Sequence, residues 1–147
     1  EEGDLSLLAR EITELIRPLA EERQVTLVSN LQQAPLCFDP QRMRQAILNL
    51  LSNAVKYNRR DGQITITLTQ DAQETTLSIQ DTGPGIAREN IPHLFERFYR
   101  IDRARTRGKD GSTGLGLAIT QAIIKAHGGT IEVDSTLDVG TTFTIKL

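Results

Sequence analysis

No uninterrupted apolar run in these 147 residues approaches the roughly 20 that a membrane-spanning helix needs. No secretory leader is read at the start of the chain. Cysteine is nearly absent: Cys37 stands alone in an apolar Leu-Cys-Phe run, which excludes an internal disulfide and a cysteine-built zinc site. An excess of one charge is also missing. Seventeen Lys and Arg against 19 Asp and Glu leave a net charge of −2, so neither a nucleic-acid surface nor direct membrane contact is expected. There are no internal repeats and no low-complexity tract. The chain opens Glu-Glu-Gly without an initiator Met, so a piece of a longer protein is expected, in a reducing, cytoplasmic setting. Hydrophobic residues at 38% and charged residues at 24% are ordinary for a globular chain, and this length suits one domain with a real core.

Periodicity supplies the elements. Asp4 or Ser6 can cap a first helix with Leu8, Ile12, Leu15, Ile16 and Leu19 at helical spacing. Short strands are expected at Val25 to Val28 and near Leu36 to Phe38. Asp39 and Pro40 open a second helix, with Met43, Ile47, Leu50, Leu51 and Ala54 as its apolar stripe. Asn58-Arg59-Arg60-Asp61-Gly62 ends it in a turn. Ile64, Ile66 and Leu68, then Leu77 and Ile79, alternate as an antiparallel hairpin with one buried face. A third helix is expected over Arg88 to Phe98, a mobile loop over Tyr99 to Thr113, and a helix from Leu115 to His127 stopped by Gly128 and Gly129. Strands at Gly129 to Val133 and Thr141 to Leu147 close the chain. The fold class implied is α+β: a two-layer sandwich with about three helices on one face of a mixed, mostly antiparallel sheet.

Three stretches carry possible chemistry. At about 100° per residue, Asn49, Asn53, Lys56 and Tyr57 share a strip beside the second helix's apolar stripe. Asn is a poor helix former, so two carboxamides one turn apart are either solvated surface or the walls of a site for a polar ligand or metal. Asp81-Thr82-Gly83-Pro84-Gly85-Ile86 leaves a strand end. The glycines permit close backbone approach to a flat ligand, and the carboxylate, an acceptor only, can take the exocyclic amine of adenine; a plain turn capped by Asp81 stays open. Gly108 to Gly116 runs into the last helix, whose amides offer an anion site, yet the Walker phosphate-loop and dinucleotide patterns are both missing. Arg100, Arg103, Arg105 and Arg107 are a solvated face or, beside phosphate, candidates to hold it. His93 and His127 have structural readings, the second at a helix C-terminus that favours a cation.

The order of these pieces is more specific than any one of them. Asn49-x3-Asn53-x2-Lys56-Tyr57, Asp81-x-Gly83-x-Gly85, Phe95-x2-Phe98-Tyr99-Arg100, Gly114-x-Gly116-Leu117 and Gly140-Thr141-Thr142-Phe143 resemble the N, glycine and F boxes of the ATP-binding catalytic domain of bacterial sensor histidine kinases. The resemblance spans about Leu5 to Leu147. It implies one catalytic domain over residues 1–147, with residues 1–20 following a dimerisation and phosphoacceptor hairpin that the chain lacks. It implies ATP and Mg²⁺ as cofactors, with ATP between two helices and a lid. Asn53 would bind the metal, Asn49 phosphate or a metal-bound water, Lys56 the phosphates, and Tyr57 would line the site. Asp81 would take the adenine amine in a pocket shaped by Gly83, Gly85 and Ile86, with help from Thr142. Arg100 would reach the γ-phosphate; Thr113, Gly114, Leu115, Gly116 and Leu117 would cradle the phosphate chain; Phe95 and Phe98 would anchor the lid.

Neither His93 nor His127 has the Glu or Asp and Arg-x-Pro neighbours of a phosphoacceptor. The implied protein is a protein-histidine kinase domain, monomeric in isolation. Its partners are the parent's histidine-bearing domain and a downstream response regulator. The alternatives are a gyrase-type hydrolytic ATPase module and a non-catalytic docking module. The first is disfavoured because Asn49, an amide, cannot act as a general base.

Overall fold

The computed structural model describes residues 1–99 and 116–147. A short strand β1 (Glu2–Asp4) pairs antiparallel with β3 (Pro35–Cys37), a small sheet that the sequence does not announce. Between them run helix α1 (Leu5–Glu22) and strand β2 (Thr26–Leu31). Asp4 is the N-cap. Its Oδ1 accepts from the amides of Ala34 and Ser6, both at 3.0 Å, and from Ser6 Oγ at 2.7 Å. The Ala34 amide above all, then the Ser6 hydroxyl, holds this carboxyl below its ordinary value. Leu8, Ile12 and Ile16 of α1 are buried as expected, but Leu15 is 59% exposed.

Helix α2 (Pro40–Lys56) is the middle of the helix layer. It buries Met43, Ala46, Ile47, Leu50, Leu51, Ala54 and Val55. Strands β4 (Gln63–Gln70) and β5 (Thr75–Asp81) form the expected hairpin, with Ile64, Ile66, Leu68, Leu77 and Ile79 facing in. Helix α3 (Gly116–Ala126) and strands β6 (Thr130–Thr136) and β7 (Gly140–Lys146) complete the described chain. The main sheet has the order β2-β4-β5-β7-β6, with β2 parallel to β4 and every other pair antiparallel. α1 packs over β2, α2 over β5 and α3 over β6. This is the expected α+β architecture.

The helix expected over Arg88 to Phe98 is a 3₁₀ helix of only six residues, Arg88–His93. Pro92 accounts for the difference, since inside an α-helix it would lack a donor and clash with the carbonyl four residues back. The backbone instead closes three-residue turns: Asn90 N to Ala87 O at 2.9 Å, Glu96 N to His93 O at 3.0 Å, and Tyr99 N to Glu96 O at 3.3 Å. The loop expected from Tyr99 to Thr113 lies, after Tyr99, outside the described residues.

Candidate nucleotide site

The site begins with α2. Asp39 accepts from the amides of Gln41 at 3.1 Å and Arg42 at 3.2 Å, which fixes the helix start and so the rotation of everything after it. With Leu50, Leu51, Ala54 and Val55 turned into the core, Asn49, Asn53 and Lys56 are half-buried at its edge, and Tyr57 is 46% exposed. The Lys56 ammonium lies 5.8 Å from the Tyr57 ring centroid. The strip is therefore real as a line of polar groups on one helix face.

α3 runs antiparallel to α2 and begins beside it. Asn49 Nδ2 approaches Gly116 O and Thr120 Oγ1, each at 3.4 Å, while Thr120 Oγ1 donates to Gly116 O at 2.8 Å. Both Asn49 bonds are long. The Asn53 carboxamide makes no hydrogen bond among the described residues, although it is half-buried. From Asn53 to Tyr57, α2 runs on past the level of Gly116, where the described part of α3 begins.

The other wall is the end of β5. Asp81 Oδ1 accepts from Gly83 N at 2.9 Å, and Thr141 N also donates to this carboxyl. Burial nevertheless dominates and raises the Asp81 carboxyl above its usual range, against the lowering effect of those two amides. No cation pairs with it among the described residues. Its loop is pressed against the end of α2: a Cβ on Gly83 would lie 2.7 Å from Tyr57 O. At Gly85, φ is +77° and a Cβ would meet Thr136 O at 2.3 Å, so both conformation and space require glycine. Gly140, with φ +152°, lets β7 pass so close that a Cβ would fall 2.0 Å from Asp81 O.

Register sets which threonine of β7 stands beside Asp81. β5 and β7 pair Asp81 with Thr141 and Gln80 with Thr142. Directly opposed residues share a sheet face and neighbours alternate, so Thr141, buried, stands on the Asp81 side, and Thr142 on the opposite side. Thr141 and not Thr142 therefore shares the sheet face of Asp81.

Several residues that sequence reasoning passed over build this wall. Ser135 Oγ accepts from Ile86 N at 2.8 Å and bonds to Thr141 Oγ1 at 2.7 Å. Asp138 N donates to Pro84 O at 2.8 Å. Thr82 Oγ1 accepts from Gln63 N at 2.9 Å and donates to Asn58 Oδ1 at 3.3 Å. Asn58 carried a signal as the first residue of a turn, and Thr82, Pro84, Ile86 and Thr141 stood in quoted motifs, whereas Ser135 carried none. Phe95 packs edge-on against Phe143, with centroids 6.3 Å apart, whereas Phe98 is 66% exposed and Tyr99 stacks on His93. Arg100, Thr113, Gly114 and Leu115 lie outside the described residues; Gly116 and Leu117 open α3.

A family profile described as histidine kinase-, DNA gyrase B-, and HSP90-like ATPase matches residues 38–147. The sensor protein SrrB of Staphylococcus aureus is 51% identical over 110 residues, 75% of this chain and 19% of that protein. The chain thus spans 19% of the length of this curated relative. Among solved structures, a mycobacterial sensor histidine kinase, MprB, superposes with a TM-score of 0.86 at 28% identity, over 100% of this chain and 95% of that one. Full-length ShkA in complex with AMPPNP gives a TM-score of 0.83 at 29% identity, over 99% of this chain and 30% of that one.

Proposed function

Because the chain belongs to the family of histidine kinase-, DNA gyrase B- and HSP90-like ATPases, we propose that it is the catalytic domain of a sensor histidine kinase. It binds Mg-ATP and passes the γ-phosphate to a histidine on a separate dimerisation and phosphoacceptor domain. The observation that carries this reading is a juxtaposition across one edge: the half-buried Asp81 carboxyl, which no cation pairs with among the described residues, and the half-buried Asn53 carboxamide, which makes no hydrogen bond among them. An adenine amine answers the first and a hydrated cation the second.

Asp81 and Thr141 hold the base, in a loop that Gly83, Gly85 and Ile86 bring close. Tyr57 and Lys56 close one side. Asn53 offers a neutral oxygen of the kind Mg²⁺ takes alongside substrate phosphates and water, and Asn49 serves the neighbouring phosphate or water. Bound there, the metal would neutralise phosphate charge. Gly116 and Leu117 present α3 amides to the phosphates, and Thr113, Gly114, Leu115 and Arg100 join them by the resemblance stated above. Positioning and charge stabilisation are most of what phosphoryl transfer asks of a protein.

α2 contains no Asp or Glu, so no carboxylate on its strip activates water. Hydrolysis is therefore slow, and the gyrase-type reading is disfavoured. Neither histidine serves as the acceptor: His127 sits at the end of α3 away from Gly116, with both ring nitrogens occupied. Residues 1–147 form one domain, monomeric and cytoplasmic, whose parent signals onward to a response regulator. The test is incubation with γ-³²P-ATP, alone and with the parent's histidine-bearing hairpin as a separate polypeptide. The chain alone should bind nucleotide and stay unlabelled, while the hairpin should gain an acid-labile label that Arg100→Ala abolishes. Acid-labile label on this chain, lost in His93→Gln or His127→Gln, overturns the reading.

A further inference from the structure

His127 does more than end a helix. α3 closes in a Schellman motif: Gly128 N donates to Lys125 O at 2.9 Å and Gly129 N to Ile124 O at 3.0 Å, with Gly128 at φ +77°. His127 is the C-cap residue of this motif, so its backbone is fixed before its side chain makes any contact. The ring then makes two. Nδ1 donates to Ile123 O at 2.8 Å, and Nε2 accepts from Asp39 N at 3.0 Å. A carbonyl can only accept and an amide can only donate, so these partners together specify a neutral imidazole protonated on Nδ1. A cation, which a helix C-terminus alone favours, does not fit this arrangement.

The amide that His127 takes is one α2 cannot satisfy itself. A helix start leaves its first donors without intrahelical partners. Here Pro40 has none to offer, Gln41 and Arg42 are satisfied by the Asp39 carboxylate, and the Asp39 amide remains. His127 supplies its acceptor across the gap between the helices. α2 and α3 are thereby joined at two points. One is this bond, between the C-terminal end of α3 and the N-terminal end of α2. The other is the pair of long 3.4 Å contacts from Asn49 to Gly116 and Thr120. The firm joint lies one α3 length from the phosphate end and the weak joint lies at it.

We infer that His127 is a positioning residue for the nucleotide site, bolting α3 to α2 at their far ends and so setting how the α3 N-terminus meets Asn49. The inference rests on the proposed function for what occupies that end. Because the adenine wall is tied separately to β6 and β7, the bolt governs affinity for phosphates and leaves adenosine alone.

The experiment uses residues 1–147 as wild type, His127→Phe and His127→Gln. It measures binding of adenosine and of a non-hydrolysable ATP analogue with Mg²⁺, thermal melting, and the ring-nitrogen spectrum of ¹⁵N-histidine protein. His127→Phe should lose up to roughly tenfold in analogue affinity, one hydrogen bond's worth of positioning, with adenosine affinity unchanged. His127→Gln, which keeps a donor and an acceptor, should recover most of it. The wild-type spectrum should show His127 neutral with the proton on Nδ1. Equal analogue affinity in all three proteins, or a wild-type ring protonated on Nε2 at neutral pH, overturns the inference. The spectrum decides even where the Phe variant does not fold. A wild type that binds no nucleotide at all sinks the proposed function instead, and the ring-nitrogen spectrum still tests the bolt.

Discussion

Around Asp81 the chain supplies its own hydrogen bonds, whereas the Asn49 and Asn53 carboxamides of α2 have long ones or none among the described residues. The carboxyl takes two amides, and Ser135 joins Ile86 to Thr141. Thr82 links Gln63 to Asn58, and Pro84 O receives Asp138 N. Along α2, Asn49 makes only long bonds and Asn53 none among the described residues. One wall is bonded within the chain, and the other offers carboxamide atoms that the proposed ligand would take. Preorganisation of the first saves ordering cost on binding, while the second leaves its polar atoms for the ligand's charge.

Substitutions can break this contrast. The largest effect belongs to Asn53→Ala. Calorimetric titration with and without Mg²⁺ should show a loss of roughly 100-fold or more in Mg-dependent affinity for ATP, as when a metal loses its protein ligand. The melting temperature should hold or rise, since no internal bond is lost and alanine is the better helix former. A stability loss with unchanged Mg-ATP affinity would place Asn53 in the scaffold and erase the contrast.

Asp81→Asn comes next. Affinity for adenine nucleotides should fall by roughly 1–3 kcal/mol, the range for hydrogen bonds to charged groups. Preference for ATP over GTP should largely vanish, because guanine presents a carbonyl where adenine has its amine; a surviving ATP:GTP ratio reduces Asp81 to a turn residue. The same carboxyl sets a pH dependence. Burial raises its folded-state value above the unfolded one, so the ionised group weighs against the fold at neutral pH and that cost is relieved as pH falls through the raised value. Nucleotide affinity should decline over the same interval, because the protonated acid is a poorer acceptor for the amine. Paired melting and binding curves just above the ordinary Asp range check that the two slopes are opposite. Asp4 supplies the control: its lowered value stabilises the fold above the ordinary Asp range, and that support is lost as pH drops further.

The smallest effect sharpens the comparison instead of breaking it. Ser135→Ala removes one hydroxyl from the adenine wall and should lower stability by about 1 kcal/mol in chemical denaturation, with a smaller change in ATP affinity. A full loss of binding would show that this wall is less self-sufficient than its bonds imply.

Legibility in the sequence followed the same divide. The α2 strip could be read because its residues lie within one helix, where caps and a period of 3.6 fix every rotation. The hairpin β4–β5 could be read from alternation. The choice between Thr141 and Thr142 could not, because a slip of one residue exchanges the faces of a strand and only pairing with β5 settles it. Ser135 and Ile86 are 49 positions apart, and no local pattern announces their bond. The β1–β3 pair escaped for the same reason, being three residues on each side. Pro92 was visible, and its power to break a helix outweighs the apolar spacing around it.

The sheet order also bears on how the protein comes apart. β5 is the central strand, hydrogen-bonded along both edges, and Asp81 is its last residue. In native-state amide exchange, strands held on both sides belong to the most protected cooperative unit, opening only near the full unfolding free energy. α3 makes no such ladder with another element among the described residues and is held to α2 and β6 by side-chain packing. Partial opening therefore frees the α3 side first and leaves the Asp81 strand folded. Under the proposed function, a nucleotide departing by that route would let go of its phosphates while its base is still held, and its escape would be governed by the least protected helix.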